Sequence, residues 1–148
     1  MWVFCKLMML ECLRLVLAPM WLLEPEIRNK KVMMEIVGTL GVWREGELDG
    51  AKGYVGTVFQ SANDTLVTFH HLDPGRVGTN AQVPINYLGP IHPTETGDHA
   101  IPLDGTHKGI EVILRQQDSE DVWGVSEPSG FNLVRCLKEK LVKLYVSS

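Results

Sequence analysis

The stretch "LVRCLKEKLVKLY", Leu133–Tyr145, has two readings, and the choice between them sets the fold. Leu133, Leu137, Leu141 and Tyr145 recur every four residues, the spacing of an apolar stripe along a helix. Set 53 residues earlier, however, "VPINYLGPIH" (Val83–His92) lies over "CLKEKLVKLY" (Cys136–Tyr145), so that Leu88 meets Leu141 and Ile91 meets Leu144. Pro84 and Pro90 forbid a regular helix through the earlier copy, because each removes a backbone donor and clashes with the preceding turn. If the two ends are homologous, the later copy is a short 3₁₀ turn followed by a strand. The repeat outweighs the periodicity, and a 3₁₀ turn followed by a strand is expected here.

A second register supports the repeat. Shifted by 56 residues, Lys52 falls on Lys108, Gly53 on Gly109, Val58 on Leu114, Val67 on Trp123 and Phe69 on Val125. Within each unit the alternation has period two, with Val67 and Phe69 on one face and Leu66 and Thr68 on the other, as a half-buried strand requires. "NDT" (63–65) and "DSED" (118–121) are polar turns between strands. The expected fold is therefore mainly β, in two tandem units of roughly five short strands, 24–91 and 96–145. Each is expected to form a small closed barrel, since closure removes exposed strand edges. "HPTETGD" (92–98) is the joint between them.

Residues 1–23 differ in composition. Their apolar run is interrupted by Lys6, Glu11 and Arg14, which fall within a sector of about 140° at helical spacing. An amphipathic N-terminal helix from about Val3 to Leu17, ended before Pro19, is expected, packing on the body or on a partner. The interrupting charges argue against both a membrane span and a signal peptide.

The chain has 148 residues, is 45% hydrophobic and carries a net charge of −4, so a core is expected but not a generally basic, polyanion-binding surface. Cys5, Cys12 and Cys136 fit neither a disulfide framework nor a zinc-ligand spacing and read as reduced thiols. The five histidines show no metal spacing. No nucleophile elbow or phosphate-cradling Lys-Ser/Thr loop is present, and the acidic cluster Asp118, Glu120, Asp121 reads as a solvated hairpin tip. The expected protein is not an enzyme and uses no cofactor or metal. Trp43, Tyr54, Phe69 and Trp123 could line an aromatic cage for methylated lysine, but core packing is the favoured reading.

The Lys-Gly loops, "GAKGYVGTV" with Lys52, Gly53, Gly56 and Val58, and "GTHKGIEVIL" with Gly105, Lys108 and Gly109, resemble the KOW motif of SH3-like barrels. In the second copy Val112 stands where the motif's second glycine belongs. Together with "WLLEPEIRNKKVMMEIVGT", "VPINYLGPIHPTETGD" and "EKLVKLY", they resemble the C-terminal tandem KOW domains of the large subunit of the eukaryotic elongation factor DSIF, a NusG-related family, over roughly residues 21–145. The resemblance implies a nuclear, non-catalytic module, a fragment or a truncated paralogue, that contacts RNA polymerase II, its associated elongation factors and emerging single-stranded RNA. No membrane partner is implied. The candidate contact residues are Arg44, Lys52, Gly53, Lys108, Gly109 and Arg115. Glycine permits close backbone approach and positive φ, while lysine and arginine offer charge to phosphate or to an acidic protein surface. A chromatin reader or general interaction module built on the same barrel is the alternative.

Overall fold

A computed structural model describes residues 21–37 and 50–147. The expected N-terminal helix lies outside the described residues, as do Trp43 and Arg44. The described chain is mainly β, in two five-stranded antiparallel sheets. The first holds β1 (Met33–Ile36), β2 (Lys52–Gln60), β3 (Thr65–His71), β4 (Asn80–Pro84) and β5 (Leu88–Pro90), in the order β4-β3-β2-β1-β5. The second holds β6 (His99–Pro102), β7 (Val112–Ser119), β8 (Val122–Ser126), β9 (Val134–Leu137) and β10 (Leu141–Lys143), in the order β9-β8-β7-β6-β10. The two orders are the same: a three-hairpin meander whose first strand also takes the last strand on its free side.

The contested stretch follows the repeat. A 3₁₀ turn at Ile85–Tyr87 precedes β5, and another at Lys138–Lys140 precedes β10, at the expected 53-residue spacing. The four-residue periodicity misleads because its leucines share no buried face. Leu133 and Leu137 are each 47% exposed, whereas Leu141 is fully buried. In β9 it is the alternate residues, Val134 and Cys136, that turn partly inward.

The expected alternation also holds in β3, where Val67, Phe69 and His71 are buried and the residues between them are not. Asp64 closes the β2–β3 turn through its amide N–H, which reaches the Ser61 hydroxyl, while its carbonyl accepts from the Ser61 amide.

The sheets share a seam. Val32 bridges Leu144, the Lys143 N–H donates to the Ile91 carbonyl (2.8 Å), and the Tyr145 N–H donates to the Lys31 carbonyl (2.7 Å). As a result Ile101, Val142 and Leu144 of the second sheet's strands and flank lie in one buried cluster with Trp21, Leu22, Ile27, Met34 and Phe69. A smaller cluster of Ala100, Val112, Leu114, Trp123, Val125 and Leu141 fills the second sheet. The joint is an ordered turn. The Asp98 carboxylate accepts from the amides of Thr94 and Glu95 (both 3.1 Å), and Gly97 takes φ +96°. His92 Nδ1 lies 2.8 Å from the Leu141 carbonyl.

Ile101→Ala removes a fully buried side chain from the shared cluster and is expected to cost about 2–5 kcal/mol. Because that cluster spans both sheets, urea unfolding followed by far-UV circular dichroism and by tryptophan fluorescence should show one coincident transition, shifted in the variant. Two separated transitions with only one displaced would show that the sheets unfold independently.

Candidate nucleic-acid interface

The two Lys-Gly pairs share a sequence register but not a structural one. Gly53 lies inside β2, opposite Met34 of β1, and the residue facing the equivalent Ala100 of β6 is Val112. The structural offset is therefore 59 residues, three more than the letters suggest, and it equates Gly109 with Gly50. Both glycines have positive φ, +77° and +76°. Both donate their N–H to the end of the preceding strand, Gly109 to the Pro102 carbonyl (3.0 Å) and Gly50 to that of Ile36 (2.9 Å). The glycine that launches the second strand is thus Gly50 in the first unit, from the "LDG" rather than the "AKG" part of the loop.

Gly53 serves a different need. Its φ is not positive, but a Cβ there would run into the His70 carbonyl and come within 2.8 Å of the Phe69 ring. Gly109 carries both demands, since a Cβ would meet that of Glu26 at 2.6 Å.

The candidate cations have separate surroundings. Lys52 opens β2, exposed, with its N–H donating to Asp73 Oδ2 (3.0 Å) and its Cα partnered across the ladder by that of Glu35. Lys108 is also exposed, but its ammonium pairs with the Glu24 carboxylate at 2.9 Å. That hydrogen bond, reinforced by the charges of Glu24, Glu26 and Asp104, holds its pKa above the usual lysine value. Arg115 turns back along its own hairpin, donating from Nε to Ser126 Oγ (2.8 Å) and from Nη2 to the carbonyls of Glu127 (3.3 Å) and Pro128 (3.2 Å). None of the contacts among the described residues joins any two of these three cations. The cage residues Phe69 and Trp123 are 0% and 2% exposed and belong to the core. Among the described residues no cluster of His, Cys, Asp or Glu could hold a metal, and no helix is long and apolar enough to cross a membrane.

A different constellation gathers at the seam. The Tyr54 ring is stacked between His70 (centroids 4.6 Å apart, planes 10° apart) and Tyr145 (4.3 Å, 5°). All three residues are half-buried. The ladder explains the stack: Tyr54 is the cross-strand partner of His70, and the Tyr145–Lys31 hydrogen bond brings the end of the second unit alongside. Gly56 leaves room for the His70 ring, because a Cβ there would lie 2.6 Å from Nε2. The Lys31 ammonium sits 5.5 Å from the Tyr54 centroid. Beside the column runs a cleft of about 390 Å³, lined by Arg28, Asn29, Lys30, Lys31 and the Val55–Val58 segment of β2. The sequence signal for this site is the basic run "RNKK" (28–31) ahead of β1. The stack itself joins residues too distant in the chain to be paired by eye.

Gly109→Ala is expected to destabilise more than Gly105→Ala. Both positions have positive φ, a cost of about 1–2 kcal/mol for a residue with a Cβ, but the space around Gly105 is open while Gly109 abuts Glu26. Denaturant titration of the two variants checks the order. Cys136 is partly buried, and desolvation pushes its thiol pKa up, with the Asp104 charge adding to the effect. Its alkylation, followed by peptide mass spectrometry, should therefore be slow at neutral pH and still rising above the ordinary thiol range.

No family model matches the chain. Among curated proteins it is similar to the ribose import ATP-binding protein RbsA of Shouchella clausii, 26% identical over 97 residues, which is 66% of this chain. The chain spans 19% of that relative's length.

Proposed function

We propose that each five-stranded sheet curls into a small SH3-like barrel of KOW type, and that the chain is a non-catalytic module of a DSIF-like transcription elongation factor. It works in the nucleus, contacting RNA polymerase II, associated elongation factors and emerging single-stranded RNA. The observation that carries this reading is the doubled architecture. Both units have the same strand order, the same 3₁₀ turn before the last strand, and a positive-φ glycine bonded to the same point of the first strand. The KOW resemblance expects a loop and a final strand at these places, although the Lys52-Gly53 pair lies within β2 and not in the loop before it. The similarity to an import ATP-binding protein adds little to any reading, given the small share of that protein involved. The chromatin-reader alternative loses support because two of its four cage rings lie in the core.

With a net charge of −4, the chain repels a polyanion at long range, so contact depends on local cations. Neutralising roughly two to four phosphates gives a slope of log affinity against log salt of about −1.4 to −2.8, at ~0.7 per phosphate for single strands. A tagged chain should retain RNA polymerase II from nuclear extract and bind single-stranded RNA with that salt dependence. Failure of both would overturn the proposal.

A further inference from the structure

We infer that the His70–Tyr54–Tyr145 column and the adjoining Arg28–Lys31 cleft form a stacking site for single-stranded RNA at the seam between the two units. The inference rests on the elongation-factor reading for its class of polyanion, and moves the RNA contact away from the Lys-Gly loops. Three observations point here. Near-parallel aromatic rings with centroids 4.3–4.6 Å apart are a platform that a nucleobase extends, since every base has a π-face. No other described aromatic ring continues the column beyond His70 or Tyr145. The neighbouring cleft is lined by three cations and no carboxylate, and none of the three takes part in an ion pair among the described residues.

The loop lysines are less suited to the task. Lys108 is held by Glu24, and a phosphate would have to displace that carboxylate; Lys52 takes part in no ion pair among the described residues but has an acidic residue, Glu35, as its cross-strand partner. Arg28 and Lys30 have no such competitor among the described residues. Lys31 is already positioned over Tyr54, where it joins the charged cleft to the ring stack. RNA would thus place a base at an end of the column and its flanking phosphates on Arg28 and Lys30. A duplex, whose bases are already stacked and paired, would gain only the phosphate contacts.

The test uses the full chain and a 12-nucleotide uridine-rich RNA carrying one 2-aminopurine, whose emission is quenched when it stacks. Binding is followed by anisotropy at several salt concentrations. Arg28→Glu with Lys30→Glu, the first exposed and the second half-buried, should weaken binding at least tenfold and lower the salt slope by about 1.4, two phosphates at ~0.7 each. Tyr145→Ala should weaken it roughly 5- to 150-fold, the range of one base–aromatic stack, and abolish the quenching, whereas Tyr145→Phe should preserve both. Unchanged binding in the Arg28/Lys30 variant with loss in Lys52→Glu/Lys108→Glu would overturn the seam site and leave the elongation-factor reading in place. So would an absence of RNA binding by a chain that still retains the polymerase. Absence of both RNA binding and polymerase retention would overturn the two together.

Discussion

The backbone seam at Val32–Leu144, with its flanking bonds from Lys143 to Ile91 and from Tyr145 to Lys31, is the constraint on which the rest depends. Units of this size bury little apolar surface alone. By laying the end of the second unit along the start of the first, the seam lets Val142 and Leu144 complete a core that also contains Met34 and Phe69. It also fixes Tyr145 against Tyr54, which neither sheet could do by itself.

The architecture is legible where proline and alternation constrain the backbone. Pro84 and Pro90 rule out a helix in one copy, and the repeat extends that exclusion to a stretch whose own leucines argue otherwise. The burial of Val67 and Phe69 follows from period two. The glycine assignment is less legible. Two identical Lys-Gly pairs invite a 56-residue register, and β3 and β8 keep it, Phe69 facing Val55 as Val125 faces Leu114. The hairpin between is longer in the first unit, Phe69 lying 14 positions after Val55 where Val125 lies 11 after Leu114, so letters in step along the third strand are three out of step at the start of the second. Gly50 therefore takes the role expected of Gly53, and Gly53 is needed for close packing instead.

The candidate cations mislead for a related reason. A lysine at a loop tip reads as free charge, yet Lys108 meets Glu24, a residue from ahead of the first sheet that only the fold brings near. Arg115 reads as a surface charge and serves as a hairpin clamp. By contrast Arg28, Lys30 and Lys31 pass for an ordinary polar approach to a strand. Their significance lies in what stands beside them, the rings of Tyr54, His70 and Tyr145, which sequence spacing does not reveal.

The shared core also bears on how the protein is made. A nascent chain is produced from its N-terminus, and a self-contained first unit could fold while the second was still being synthesised. Here the first unit's core draws on Val142 and Leu144, so its apolar face stays incompletely covered until nearly the whole described chain has emerged. For that interval the partly formed first sheet presents buried-type side chains and an open strand edge to its surroundings, the exposure that favours aggregation. Rapid synthesis of residues 92–145, or protection of the first unit meanwhile, would shorten or shield that vulnerable interval.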